Sequence, residues 1–217
     1  LLIDAYPESV SQADNTGCMP LHSLCLNKNL DEKGGLEILK LFLERYPESV
    51  RHVTRKGNLP IHLASMNQSP EFCRVLIEAY PGSERITDGY GDLPFHRACQ
   101  HNTVATARYL FQIYPESINA ADNVGRYPLY HAILGLNLRK QSPETAIEMV
   151  VFLLDCDPNV VSLKLFDKLP LYWACTWATK FTPKLNVYLK ILQILYDMHP
   201  EAIERNEIAS NVSRFCQ

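Results

Sequence analysis

Long apolar runs, a basic excess and a regular cysteine framework are all missing from this sequence. No stretch reaches the ~18 consecutive apolar residues of a transmembrane helix, so no membrane partner is expected. Lys and Arg total 21 against 24 Asp and Glu, which argues against a protein that binds duplex nucleic acid. The seven cysteines are odd in number and lack paired spacings. We therefore expect buried free thiols in a reducing intracellular compartment, the cytoplasm or the nucleus.

Motifs for catalysis and cofactor binding are missing as well. Neither of the glycine-rich patterns that cradle phosphates, G-x-x-x-x-G-K-[ST] and G-x-G-x-x-G, occurs in the chain. The hydrolase pattern G-x-S-x-G and the zinc-protease pattern H-E-x-x-H are also not found. The segment GYGDLP at 89–94 has the wrong glycine spacing for a phosphate loop. The sequence therefore predicts no catalysis and no cofactor.

What the sequence does contain is a repeat. A hexamer with an aromatic residue, proline and a following serine recurs at 5–10, 45–50, 79–84 and 113–118, and it decays towards the C-terminus. A second series of prolines follows the hexamer prolines at an interval of 13 residues, or 12 in the last copy. Self-similarity at a period of about 34 to 43 residues indicates a protein built from stacked structural repeats.

Each repeat carries residues with a defined backbone role. Glycines three residues before the second proline supply a positive φ for a tight turn, at Gly17, Gly57, Gly91 and Gly125. The second proline suits the first position of a helix, where an N–H would lack a partner anyway. Tyr-Pro in the hexamer ends the next helix, because proline cannot continue it and restricts the residue before it. The hexamer is therefore interpreted as a helix terminator.

The order of these residues resembles the ankyrin repeat. DGYGDLPFHRAC at 88–99 has the Asp, Gly, Pro, aliphatic, His and Ala of that family, and 14–25, 55–65 and 122–133 follow it, with a weaker copy at 167–175. Two features depart from the family pattern Thr-Pro-Leu-His: an apolar or aromatic residue, most often leucine, replaces the threonine, and Tyr-Pro-Glu-Ser ends the second helix. The replacing residues are Met19, Leu59, Leu93, Tyr127 and Leu169. Tetratricopeptide repeats also span about 34 residues but lack this order. The resemblance implies an all-α, ankyrin-type helix-turn-helix solenoid with short β-turn fingers.

The repeat phase divides the chain. We expect a single solenoid over residues 1–217, and a start without methionine indicates a piece of a longer chain. The expected parts are a partial repeat at 1–12, repeats at 13–52, 53–86, 87–120, 121–162 and 163–204, and a degenerate or capping tail at 205–217.

Three histidines, His22, His62 and His96, occupy the same place in different repeats. Stacked helices lie about 8–10 Å apart, whereas zinc–nitrogen bonds are about 2 Å, so this column cannot converge on one ion. The tight cluster of His96, Cys99 and His101 would splay apart on one helix. We expect no metal site. The family resemblance instead implies that the histidines form hydrogen bonds between fingers and helices.

The resemblance also implies a partner-binding concave face, made by the fingers and the exposed side of each first helix. Trp173 and Trp177 are four residues apart and would share one helix face, unless the loop TWATKFTPK at 176–184 covers them. Aromatic residues and arginine dominate binding hot spots. The candidate partner-binding residues are Asn15, Ser23, Asn27, Arg55, Lys56, Leu63, Asn67, Tyr90, Asp92, Arg97, His101, Arg126, His131, Lys168, Trp173 and Trp177.

Two functions are compatible with these observations. The first is a non-catalytic protein–protein interaction module that holds an unidentified protein on its concave face. The alternative is the targeting or regulatory region of a larger enzyme, such as a kinase or a ubiquitin ligase, whose catalytic domain lies outside this sequence. A fold alone does not choose between them, because function depends on sites and not on scaffolds.

Overall fold

The computed structural model describes residues 11–138, 143–180 and 185–200, and these residues form helices in consecutive pairs. No strand occurs within these ranges, so the predicted all-α class is confirmed. The five pairs are α1 (Pro20–Leu26) with α2 (Glu32–Arg45), α3 (Pro60–Ala64) with α4 (Pro70–Ala79), α5 (Pro94–His101) with α6 (Val104–Ile113), α7 (Pro128–Leu138) with α8 (Pro143–Cys156), and α9 (Pro170–Lys180) with α10 (Leu185–Met198).

Proline sets both ends of these pairs, as the sequence predicts. Each first helix begins at the second proline of its repeat, and the residue before it is extended, as at Leu59 with ψ 161°. The second helices α2, α4 and α6 end one residue before the tyrosine of the hexamer, and Tyr46 leaves the helix with φ −145° and ψ 74°. The hexamer then forms a short 3₁₀ turn, Pro47–Arg51 in the first described repeat. Its role as a helix terminator is confirmed.

The residue after each of two hexamers contacts the tyrosine of the next hexamer. The guanidinium of Arg51 lies over the Tyr80 ring at 4.9 Å, and that of Arg85 lies over the Tyr114 ring at 4.4 Å. These cation–π contacts connect the end of one repeat to the end of the next one.

Between the pairs, the chain forms β-turn fingers. In the fingers at 14–18, 54–58, 88–92 and 122–126, the first N–H donates to the fifth carbonyl at 2.9–3.0 Å. Neighbouring fingers are joined by single backbone hydrogen bonds of 3.0 Å, for example from the Gly89 N–H to the Lys56 carbonyl. Gly57 has φ +75°, and a Cβ there would lie 2.6 Å from the Gly89 nitrogen. Both the turn and the close approach of the fingers therefore require glycine.

The histidine column joins each first helix to the last residue of its repeat, just before the next finger. Nδ1 of His96 accepts a hydrogen bond from the Leu93 N–H at 3.0 Å, and its Nε2 donates to the Ala120 carbonyl at 3.0 Å. His62 and His22 make equivalent bonds. In the fourth repeat, Tyr130 occupies the histidine position, and its hydroxyl donates to the Leu163 carbonyl at 2.9 Å. The hydrogen-bonding role implied by the family resemblance is confirmed.

Two apolar clusters fill the space between the helices. Leu21, Leu39 and Leu76 lie in the N-terminal cluster, and Met149 and Leu153 lie in the larger C-terminal one; all five are fully buried. Of the cysteines in the described residues, four are buried and all are free. Desolvation raises the pKa of Cys73 to about 12 and that of Cys175 to about 11, so both remain thiols at neutral pH.

We expect His96→Ala to lower the free energy of unfolding by about 2–4 kcal/mol, because it leaves a cavity and two buried backbone groups without partners. Urea denaturation followed by far-UV circular dichroism measures this loss. Gln112→Ala, on the exposed side of α6, is the matched control and should change the midpoint little. Equal midpoints for the two variants would contradict the role of the imidazole.

Stability should also fall between pH 6.5 and pH 4. Desolvation lowers the pKa of His62 to about 4 and that of His96 to about 3, whereas an unfolded chain has an ordinary histidine pKa near 6.5. Below pH 6.5 the unfolded state therefore binds protons that the folded state does not, and the free energy of unfolding decreases. Urea midpoints at pH 7.5 and pH 4.5 measure this. A His62→Gln, His96→Gln double variant should lose less stability over the same range, and an equal loss would contradict the assignment.

Candidate partner-binding groove

Fingers and first helices of successive repeats enclose one continuous groove. Its two parts have volumes of about 430 and 450 Å³ and share Leu26, Lys56, Asn58 and Leu63. We call this feature the groove. Its lining comprises Asn15, Thr16, Cys18, Leu26, Thr54, Arg55, Lys56, Asn58, Leu63, Met66, Tyr90, Asp92, Arg97, Gln100 and Arg126.

Half of the candidate residues line the groove, namely Asn15, Arg55, Lys56, Leu63, Tyr90, Asp92, Arg97 and Arg126. Among these, Leu63 is 8 % exposed and Asp92 is 3 % exposed, so they lie at its floor. Ser23 and Asn27 are exposed along and just after α1, whereas Asn67 and His101 are half-buried.

The structure corrects the prediction for His131. Its side chain is 1 % exposed, and its ring Nε2 lies 3.1 Å from Asp122 Oδ2 and 3.3 Å from Asp92 Oδ1. The carboxylates draw the imidazole inward, so it supports the fingers and presents no surface to a partner. Position on a helix face was a poor guide here because contacts with two buried carboxylates decided the orientation.

Trp173 and Trp177 are half-buried, and Lys168 lies at the base of the fifth finger. The indole N–H of Trp173 donates to the Leu165 carbonyl at 3.1 Å, and the two indoles are 5.9 Å apart. Residues 176–180 of the segment expected as a loop over them belong to helix α9, and residues 181–184 lie outside the described residues. Both tryptophans keep part of their surface exposed.

Several groove residues are not among the candidates predicted from the sequence, above all Leu26 and Met66. Leu26 is the last residue of α1 and is 41 % exposed. The candidates on the first helices, such as Ser23 and Asn27, are the third and seventh residues after the proline that begins the helix, whereas Leu26 is the sixth after Pro20. An apolar residue at the end of a short first helix was the available signal.

Buried carboxylates hold two of the groove's cations, Arg97 and Arg126, in place. Arg97 Nε lies 3.0 Å from Asp88 Oδ2 and 3.2 Å from Asp92 Oδ2, and Arg126 Nε lies 2.6 Å from Asp122 Oδ2. Asp88 and Asp122 are themselves fully buried as side chains, whereas the two arginine side chains are 15 % and 27 % exposed. The acids therefore face inward, and the guanidinium edges face the groove.

The same carboxylates shape the fingers. Asp122 Oδ1 accepts hydrogen bonds from the Val124 and Arg126 N–H groups, both at 2.9 Å. Desolvation of this carboxyl is outweighed by the hydrogen bonds from His131 and Arg126, which hold the pKa of Asp122 well below its usual range. Desolvation instead raises the pKa of Asp92.

Asp92, Asp122 and His131 could in principle hold a cation, since their ligand atoms lie within 4.8 Å of one another. The protein already provides positive charge at this place through Arg97 and Arg126. A divalent ion would have to displace a guanidinium from Asp122 Oδ2. The arrangement therefore fits an ionic network between fingers and helices better than it fits a metal site.

Comparison with known proteins agrees with this geometry. Residues 30–122 match the family model of ankyrin repeats in three copies. Residues 30–122 are ankyrin repeats. The predicted repeats at 121–162 and 163–204 lie almost entirely beyond the match, yet they form the same helix pairs, α7 with α8 and α9 with α10. The predicted partial repeat at 1–12 and tail at 205–217 lie outside the described residues, except for 11 and 12.

A solved structure shares the fold. A chain in the complex of a predatory endopeptidase from Bdellovibrio bacteriovorus with an immunity protein matches with a TM-score of 0.61 and 23% sequence identity. The match covers 87% of this chain and 89% of that chain. At this identity the likeness shows the ankyrin-type solenoid and nothing about a partner. No curated protein matches the sequence significantly. None of the helices in the described ranges is both long and apolar enough to cross a membrane.

We expect Asp122→Asn to lower the free energy of unfolding by about 3 kcal/mol, because the Arg126 guanidinium loses the counter-charge of a fully buried carboxylate and the buried His131 ring loses its carboxylate partner. Urea denaturation measures the loss. Asp155→Asn, at an exposed site on α8, removes the same charge without a buried partner and serves as the control. If both variants unfold at the same midpoint, the network does not stabilise the ankyrin fingers.

Proposed function

We propose that this chain is a non-catalytic protein–protein interaction module that holds a protein partner on the concave face made by its fingers and first helices. Ankyrin repeats are protein–protein interaction modules, and the family is generally non-catalytic. The proposal is carried by one observation: a single groove crosses the fingers of four repeats and is lined by Tyr90, Arg97 and Arg126. Tyrosine and arginine are the residue types that dominate interface energetics.

Two arginine side chains of the groove are held in place before any partner binds. Arg97 and Arg126 are already held by buried carboxylates, and the Arg97 guanidinium lies over the Tyr90 ring at 5.7 Å. Side chains that are ordered before binding lose less conformational entropy when a partner arrives, which favours affinity.

The side chains that most resemble catalytic groups have structural roles. The imidazoles of His62 and His96 are buried, and both of their nitrogens bind backbone groups. Burial raises the pKa of the Cys73 and Cys175 thiols, which disfavours the thiolate that a nucleophile requires. The structural roles of these imidazoles and thiols support a binding function over a catalytic one.

Site-specific photo-crosslinking tests the proposal. A photoreactive benzoylphenylalanine at Lys56, in the groove, should cross-link a discrete protein when the variant is irradiated in an extract of the source cells. The same group at Gln112, exposed on α6 away from the fingers, is the matched control. Cross-linking at 56 with none at 112 is the expected result. Cross-linking of the same protein at 112 alone would place the partner on the other face and contradict the proposal.

A further inference from the structure

The fingertips form a row whose chemistry changes along the array. The residue four before the second proline is Thr16, Lys56, Tyr90, Val124 or Phe166 in the successive repeats. Single backbone hydrogen bonds of 3.0 Å connect the first four fingers in order. The row therefore begins with polar and cationic side chains and ends with apolar ones. Tyr90 and Val124 are 50 % exposed, and Phe166 is 66 % exposed.

The groove beside the first part of this row is cationic. Five charged residues line it, and four of them are cations: Arg55, Lys56, Arg97 and Arg126. The one acid, Asp92, is 3 % exposed. Arg55 and Lys56 are exposed, and neither forms an ion pair within the described part of the chain. This positive surface belongs to a chain whose net charge is −3, so it is a local feature and not a consequence of composition.

The apolar end carries backbone strain. The fifth finger is one residue shorter than the others, with hydrogen bonds between Leu165 and Lys168 of 2.9 and 3.0 Å. Its two tip residues, Phe166 and Asp167, have φ of +49° and +58°. Two-residue turns of this type favour Asn-Gly, because both positions need a positive φ. A phenylalanine held in that conformation and exposed to solvent indicates a functional requirement.

The Phe166 ring is supported from below. It meets the Trp173 ring edge-on at 6.3 Å, and Trp173 in turn donates its indole N–H to the Leu165 carbonyl. Trp177 lies beside Trp173 at 5.9 Å. The exposed phenylalanine thus stands on a packed aromatic base, which makes it a rigid apolar contact.

We infer that the fingertip row receives one continuous segment of a partner protein, with acidic residues over Arg55 and Lys56 and apolar or aromatic residues over Tyr90, Val124 and Phe166. This inference rests on the proposed function and names the chemistry of the partner. Charge complementarity selects the acidic part. Repeats stack about 10 Å apart, so three intervals span about 30 Å, which an extended segment covers with about nine residues.

Display selection tests this inference with random 12-residue peptides as the probe and the whole chain as the target. The expected result is enrichment of peptides that have Asp or Glu towards one end and apolar or aromatic residues towards the other. Enrichment of basic peptides, or no enrichment at all, would overturn the inference.

Two variants then locate the selected peptide. The double variant Arg55→Glu, Lys56→Glu should weaken its binding by about tenfold or more and should bind better to a peptide with Lys in place of its acids. Phe166→Asn should also weaken binding by about tenfold, while its unfolding midpoint stays equal or rises because the turn is relieved of strain. The controls are Lys190→Glu and Leu189→Asn, at exposed positions on α10.

These results separate the two proposals. If cross-linking at position 56 captures a partner but the selected peptides bind equally well to Arg55→Glu, Lys56→Glu and to Phe166→Asn, the binding function stands and the inference about the segment fails. If the selected peptides lose affinity only in the control variants on α10, both the inference and the groove as the binding face are contradicted.

Discussion

The hydrogen bond from the ring on each first helix to the backbone just before the next finger is the interaction on which this architecture depends. A single ankyrin unit has two short helices and cannot bury its apolar face alone. His96 Nε2 and Ala120 O are 3.0 Å apart, and His62 makes the same bond to Ile86. Because Nδ1 of the same ring accepts from the start of its own helix, each imidazole determines both where a helix begins and where the next finger lies.

This constraint explains why tyrosine can replace histidine in the column. Tyr130 reaches the Leu163 carbonyl with its hydroxyl and is 0 % exposed, so the bond and the burial both survive. It does not supply the second bond, to the N–H at the helix start. The finger itself keeps its carboxylate: Asp122 accepts bonds from two finger N–H groups and from Arg126, as Asp88 does from two N–H groups and Arg97 in the third finger.

Much of the fold could be predicted because its signals are local. Pro60 and Pro94 begin helices, Tyr46 ends one, and Gly57 takes a positive φ, each for a reason contained in the residue itself. The candidate site was less predictable, because exposure depends on the neighbouring repeats. His131 and Arg97 occupy equivalent positions, yet two carboxylates enclose His131, whereas Arg97 is long enough to reach Asp88 and still face the groove.

The fifth finger lacks the glycine that the turns of the other four fingers contain. The other four fingers have glycine three residues before the proline, and here Asp167 takes that place with φ +58°. Left-handed backbone costs about 1–2 kcal/mol for each such residue, and Phe166 adds a second one. Asn-Gly would remove most of this cost without disturbing the hairpin. Stability alone does not account for a strained and exposed phenylalanine on an aromatic base. The partner segment proposed above would supply a contact for that ring, at the end of the row farthest from Arg55 and Lys56.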